Sequence, residues 1–429
     1  MDIEELAVRY LRSGSQDRTL LDRLKEVIDP DSLDALLSEI RHSSSADGLD
    51  IACPPVSGFT AGGSGLGCRG SGDSLIHRLI VSLLPTSGLS VSPSDMDDSG
   101  ALRFGGGHMV LSVDGIHSRL SRFPFLAGFH AARAALRDVM VMGADPLAMT
   151  SDVHIANDGD VGSVFDMVAG IGAVSELTRV PVAGGSTLRI GGDMVLGTRL
   201  TGSVGAVGYA ECLTARSDIR AGDALIMTAG SGGGTIATTA IYNGRPEVVG
   251  RTLNIDFHRD VSSVRDLMGS IHAMVDVTNG GIRGDALDMV AGRDLDVVLD
   301  PDVLRKCVDP VVLEMLDGLG IDHMGVSTDS ILMSLPPDAV GDVSDAIGVG
   351  GGTVHDVGRV ETGSGNVYMG DGRERIEPAF REEPYTPLKK VVALERPDIE
   401  AIEEALVRAA SESKEKKQRI VEAVLNGDR

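Results

Sequence analysis

Glycine constrains this chain more than any other residue. There are 55 glycines, about twice the usual share of roughly 7%. They follow no three-residue period, which excludes a collagen-like helix. They gather in short clusters between apolar runs, where the backbone must turn tightly or approach a ligand closely. Three clusters stand out: GGSGLGCRGSGD (62–73), VAGGSTLRIGGD (182–193) and AGSGGGTIATT (229–239). Backbone N–H groups in such loops, or at a helix N-terminus that follows, can cradle phosphate. None reads GxxxxGK[ST], so a P-loop is excluded. The third cluster also meets a loose dinucleotide fingerprint. Gly232, Gly234 and Ala237 follow an apolar run, and Asp256 lies about 20 residues on. A dinucleotide-dependent oxidoreductase is therefore one alternative.

With 429 residues, 42% of them hydrophobic, the chain is long enough for two or three domains with real cores. Its formal net charge of -24 argues against a nucleic-acid partner, which needs a basic footprint. Cys53, Cys68, Cys212 and Cys307 form no CxxC pair, so neither a zinc site nor a disulfide framework is indicated. The opening MDIEELAVRYLR lacks an apolar core for a secretory signal. No apolar run approaches the roughly 18 residues a membrane span needs. These features lead us to expect a cytoplasmic protein with no membrane partner.

The expected fold class is α+β. Residues 1–94 read as a helical extension carrying a glycine-rich loop at 58–73. Helical spacing runs through Leu20, Leu21, Leu24, Val27 and Ile28, and SLIHRLIVSLL continues it beyond the loop. From about residue 95, MVLSVDGI, PLAMTSDVHI, PVAGG and VLGTRLTGSVGAVG read as strands. FLAGFHAARAALRDVMVMG and VFDMVAGIGAVSELT read as helices. A polar seam, ARSDIRAGD, separates domains at 95–212 and 213–365. Residues 361–385 read as loop, and 366–429 as loop followed by a polar helical tail.

Aspartates supply the candidate chemistry. Asp97 and Asp98 precede a strand, Asp114 sits in SVDGIH, Asp138 ends a helical segment, and Asp276 sits in MVDVTNGG. Magnesium prefers hard oxygen ligands and takes one or two carboxylates per ion, with phosphates and waters. Aspartates far apart in sequence can thus hold ions around a triphosphate. The adjacent pair Asp97–Asp98 is costly unless solvated or metal-bound. Neither a GxSxG elbow nor an HExxH helix is present. His117, three residues after Asp114, is the histidine best placed for substrate contact. Cys68 lies inside the first glycine loop beside Arg69, which favours its thiolate.

Seven segments, taken in order, resemble the AIR synthase (PurM)-like superfamily. They are MDDSGAL, LSVDGIH, LRDVMVMGADPLAM, AGGST, RAGDALIMTAGSGG, MVDVTNGG and VHDVGRV, within residues 95–365. That superfamily includes aminoimidazole ribonucleotide synthetase, selenophosphate synthetase, thiamine-monophosphate kinase and a hydrogenase maturation factor. The resemblance implies two domains, the first dimerising through its sheet to make a homodimer. It also implies ATP and Mg²⁺ in a cleft closed by the glycine-rich N-terminal segment. The implied reaction is phosphoryl transfer to a small-molecule acceptor, by a phosphotransferase or phosphate-activating ligase. Carried onto this chain, Asp97, Asp98, Asp114, Asp138 and Asp276 become metal-site candidates, with Asp138, His117 and Cys68 as catalytic candidates. Gly70, Gly72, Asp73, Gly184, Gly185, Ser186, Thr187, Asn279, Gly280 and Gly281 become nucleotide-binding candidates. Three departures matter: Ser186 and Asn279 stand where the family pattern has aspartate, and Arg137 stands where it has Asn or Ser. Lost carboxylates keep open a second reading, a non-catalytic nucleotide-binding protein whose helical ends engage a protein partner.

Overall fold

The computed structural model describes the whole chain except Asn279, Asp371, Pro378, Glu383, residues 394–397 and 428–429, together with the side chains of Ser45 and Asp47. Two sheets organise it, as expected for an α+β chain. The first contains β1 (Leu89–Val91), β2 (Gly100–Phe104), β3 (Gly107–Gly115), β4 (Asp145–Ile155), β5 (Val182–Arg189) and β6 (Leu200–Ala210). Its spatial order is β1-β2-β3-β6-β4-β5. Only β4 and β5 pair in parallel, joined by the crossover helix Gly162–Thr178.

The second sheet contains β7 (Ala224–Thr228), β8 (Ala273–Asp276), β9 (Leu295–Leu299), β10 (Ile331–Leu335), β11 (Val354–Thr362), β12 (Val367–Met369) and β13 (Glu374–Ile376). Its order is β13-β12-β9-β11-β7-β10-β8. The strand β7, which leads into the third glycine cluster, pairs antiparallel with both β10 and β11. A dinucleotide fold needs a parallel βαβ unit at that point, so the fingerprint there does not carry its usual structural context.

The helix Pro124–Val141 ties the two sheets together. Ala127, Ala131, Ala132, Ala135, Leu136, Val139 and Met140 are all buried along it. Small alanines let neighbouring elements approach on several sides, and a helix apolar around most of its girth belongs in an interior. Its core cluster runs from Val110 and Val204 of the first sheet to Met274, Ile331 and Met333 of the second. The domains thus share one core cluster, while Leu225, Val275, Val297 and Leu332 form a separate core on the second sheet.

The sheets reach past the expected domain limits. β1 precedes residue 95, and Val91 packs into the first core. The stretch read as loop at 361–385 contains the hairpin β12–β13. Its strands are only three residues long, too short for alternation to show. Three helices, Ile3–Arg12, Arg18–Val27 and Pro30–Ser43, form a separate cluster that packs on Met194 and Leu196. The long helix Ile399–Asn426 completes the tail. Every residue of β5 is exposed, as are Leu147 of the neighbouring β4 and Leu111 and Val113 of β3.

Candidate functional site

The cleft between the two sheets collects most of the predicted aspartates. Asp114 points from β3 into a cavity of about 280 Å³, which His117, Arg69, Arg137, Gly234 and Asp329 also line. Asp138 comes from the central helix and accepts a hydrogen bond from the Ser112 hydroxyl (2.7 Å). Asp276 ends β8 and is fully buried. Asp97 and Asp98 lie on the turn before β2, where Arg216 grips both. The Arg216 backbone N–H donates to Asp97 (2.9 Å), and its guanidinium donates to Asp98. The same guanidinium lies 3.8 Å from Asp285 and 3.5 Å from Asp288.

Arginines therefore neutralise much of the acid. Arg137, the departure noted in the sequence, donates to Asp276 (2.5 Å) and pairs with Asp329 (2.6 Å). It joins the first domain's helix to the second domain's sheet. Arg133 adds a second contact to Asp329 (2.9 Å).

Burial pushes the Asp98 and Asp138 carboxyls well above the usual carboxylate range and also raises Asp97 and Asp114. The charges of Asp276 and Asp114 add to the rise at Asp138, while Arg216 opposes it at Asp97 and Asp98. Burial likewise takes Asp285 to about 7. Asp329 is the exception. Burial would raise it, but Arg137 and Arg133 bring it down to about 2.

Three carboxylate oxygens, Asp98 Oδ2, Asp276 Oδ1 and Asp329 Oδ2, are buried and receive no hydrogen bond, and only the last has a guanidinium nitrogen beside it, that of Arg133 at 2.9 Å. A hard cation suits such orphaned oxygens. Among the described residues no three His, Cys, Asp or Glu side chains are grouped to hold an ion by themselves. A magnesium ion here would take one or two carboxylates and complete its shell with phosphate and water.

The glycine-rich loop closes the cleft, in a way the sequence did not reveal. Asp73 accepts from the Gly67 and Arg69 N–H groups (2.8 and 3.1 Å), so it shapes the loop. Gly70 and Gly72, expected to face nucleotide, pack instead against the C-terminal segment. A Cβ at Gly70 would lie 2.3 Å from the Ala379 carbonyl oxygen, and one at Gly72 would lie 2.7 Å from the Phe380 ring. The N–H groups of Ser71 and Gly72 donate to the carbonyls of Ala379 and Phe380. Those amides are therefore engaged within the chain.

A Cβ at Gly280 would lie 3.2 Å from the Arg69 carbonyl oxygen, and one at Gly281 would lie much closer, 2.2 Å from the Met324 carbonyl oxygen. Asn279 lies outside the described residues. Gly184, Gly185, Ser186 and Thr187 lie on the exposed edge strand β5, opposite Thr150–Val153 of β4. None of the four lines this cavity.

His117 sits at the centre of a chain of polar contacts. Its Nε2 lies 2.6 Å from the Tyr385 hydroxyl and its Nδ1 lies 3.0 Å from Thr238 Oγ1. Lys389 donates to the same Tyr385 hydroxyl (2.6 Å). Burial, with Lys389 and Arg119 nearby, lowers His117 to about 3, so the imidazole is neutral near pH 7. In the order Lys389 to Tyr385 to His117 to Thr238 each group can donate to the next: ammonium to phenol oxygen, phenol O–H to Nε2, and Nδ1–H to the Thr238 hydroxyl oxygen. Cys68 lines the adjoining cavity beside Tyr385 and Lys389. Sequence reading missed Tyr385 and Lys389 because they lie in the tail. The only available signal was a tyrosine in EPYTPLKK, in a chain with five tyrosines.

Fold and cleft together define a two-domain α+β protein whose cleft is walled by carboxylates, guanidiniums and backbone amides. The chain belongs to the AIR synthase-related family: residues 96–210 match its N-terminal domain and 220–370 its C-terminal domain. It is 42% identical to an uncharacterized protein of Methanocaldococcus jannaschii, over 98% of each chain. It is 26% identical to a selenide, water dikinase of Rhizobium meliloti, over 56% of this chain and 68% of that one. Its fold is similar to the crystal structure of the hydrogenase maturation protein HypE in complex with ATP, with a TM-score of 0.52 at 18% identity. That likeness covers 72% of this chain and 95% of the other.

Proposed function

We propose that the protein transfers a phosphoryl group from ATP, with Mg²⁺, to a small-molecule acceptor held in the interdomain cleft. The observation that carries this reading is the pair of buried, undonated oxygens, Asp98 Oδ2 and Asp276 Oδ1, in a wall of crowded carboxylates. Asp98 and Asp276 would hold the ion, with Asp97, Asp114 and Asp138 around it. Bound magnesium would neutralise phosphate oxygens as charge shifts during transfer. Arg69 faces the same cavity, as does the N-terminus of the helix Gly234–Tyr242. Both suit an anionic phosphate chain. The loop 62–73 excludes water over it. The kinase relative and the ATP complex of a similar fold support the same reading.

The exposed strand β5 and the apolar residues beside it support a homodimer formed through the first sheet. Among the described residues Cys53, Cys68, Cys212 and Cys307 form no disulfide, which suits a reducing cytoplasm. Among the described residues no helix is long and apolar enough to cross a membrane.

Release of ADP with Mg²⁺, set beside the Asp98→Asn and Asp138→Asn variants, tests the site. We expect turnover to fall about 100-fold or more in each. Unchanged turnover in both would sink the assignment. The grip of Arg216 and Arg137 on Asp97, Asp98 and Asp276 favours a second reading, a nucleotide-binding partner protein without turnover. Calorimetric ATP binding with no ADP release, and a complex that needs the exposed helical end at Val424 and Leu425, would select it.

A further inference from the structure

A second cavity of about 260 Å³ opens beside the nucleotide cleft and shares Gly67, Arg69, Tyr385 and Lys389 with it. It is near the lower end of ligand pockets, roughly 300–1,000 Å³. Its apolar lining is Val392 and Ala393, with Leu388 exposed at the mouth. Its rim carries Arg69, Arg119, Arg381 and Lys389. Such a concentration of cations is unexpected in a chain of net charge -24.

Three of these cations are not matched within the protein, whereas Arg69 has the charges of Asp114 and Asp73 nearby. Arg119 lies over the Tyr242 ring (4.0 Å), Arg381 donates to the Gly62 carbonyl, and Lys389 donates to Tyr385. Among the described residues none of the three has a carboxylate within ion-pair distance. The rim acid, Glu382, is turned to Arg283 (3.4 Å) and to the Ala379 N–H (3.0 Å). Arg381 Nε is buried without any hydrogen-bond acceptor. Burial, with Arg119 nearby, lowers the Lys389 ammonium, although the Cys68 thiol opposes this. An unmatched buried cation behaves in this way until an anion joins it.

We infer that this cavity is the acceptor site, and that it takes a small organic anion: an apolar body over Leu388 and Val392, with a carboxylate or phosphate head at Lys389, Arg119 and Arg381. The assignment rests on the phosphoryl-transfer reading for its purpose, but its binding chemistry is independent of that reading. Tyr385 and Lys389, common to both cavities, would place the head group beside the transferable phosphate. Cys68 lines the second cavity and reports on its occupancy.

Calorimetry on the full-length chain tests this with hexanoate, hexyl phosphate, hexylammonium and hexanol, each with and without Mg²⁺ and AMPPCP. One of the two anions should bind at least tenfold tighter than hexylammonium or hexanol, and the preferred anion identifies the head group. Lys389→Met and Arg119→Met should each weaken it tenfold or more. Where either variant fails to fold, Leu388→Trp, which fills the cavity from its exposed rim, should abolish binding instead. In a Cys53→Ser, Cys212→Ser background, the same anion should slow carboxymethylation of Cys68, read by intact mass. Equal binding of hexanol or hexylammonium, or no binding of either anion, overturns the assignment. Anion binding without ATP turnover overturns only the phosphoryl-transfer reading, and turnover without anion binding overturns only this one.

Discussion

Arg137 shows how one substitution redistributes a site's charge. The guanidinium spans Asp276 and Asp329, both in the second domain, from a helix of the first. A buried pair of this kind is weak evidence of net stability, yet removing one partner leaves an uncompensated charge. Arg137→Met should therefore destabilise the fold by about 3–5 kcal/mol in urea unfolding. Arg137→Lys, which cannot fork to two carboxylates, should recover only part of that loss. An Arg137→Met variant as stable as the parent would show that the two aspartates find other partners. The sequence singled out Asp97, Asp98, Asp114, Asp138 and Asp276 because each borders or sits within a recognisable run. Their arginine partners were not legible, since Arg216 lies some 120 positions away from Asp97. Long-range pairing leaves no local pattern.

Elements with strong periodicity were readable, and short ones were not. The helix Pro124–Val141 and the long strands β3, β4 and β6 stood out in the sequence. The strands β1, β12 and β13, three residues each, could not, because alternation needs more positions than they have. The glycine loop was recognised, but its partner was not. Contact between 62–73 and residues 379–382 is made largely through backbone atoms, which any side chain would permit except at Gly70 and Gly72. Gly70→Val should therefore separate these segments without disturbing either sheet. Hydrogen exchange at the Glu382 amide, bonded to the Cys68 carbonyl (3.1 Å), should accelerate about tenfold or more. Exchange in β4 and β7 should not change. Equal protection at Glu382 would mean the segment is held by other contacts.

At the scale of the whole molecule, the shared core cluster makes acid sensitivity a property of both domains together. His117 and His130 are both lowered to about 3, chiefly by burial, against an ordinary value of about 6.5. Their folded pKa lies below the unfolded one, so their contribution to stability is full above pH 6.5. It is lost as pH falls toward 3, because the unfolded chain takes up the protons first. Each should cost about 2 kcal/mol by pH 5. The melting temperature should drop between pH 6.5 and 5, and His117→Gln should reduce that drop. A flat profile over this range would mean that these imidazoles gain protons without unfolding.

The lid is built from two segments more than three hundred residues apart, one near each end of the chain. A polypeptide emerging from the ribosome would complete both sheets of the cleft while its cover was still unmade. The pocket that Lys389 and Tyr385 wall off would come into being only after both sheets had been made. A product cut short after the second sheet would be left with an open cleft.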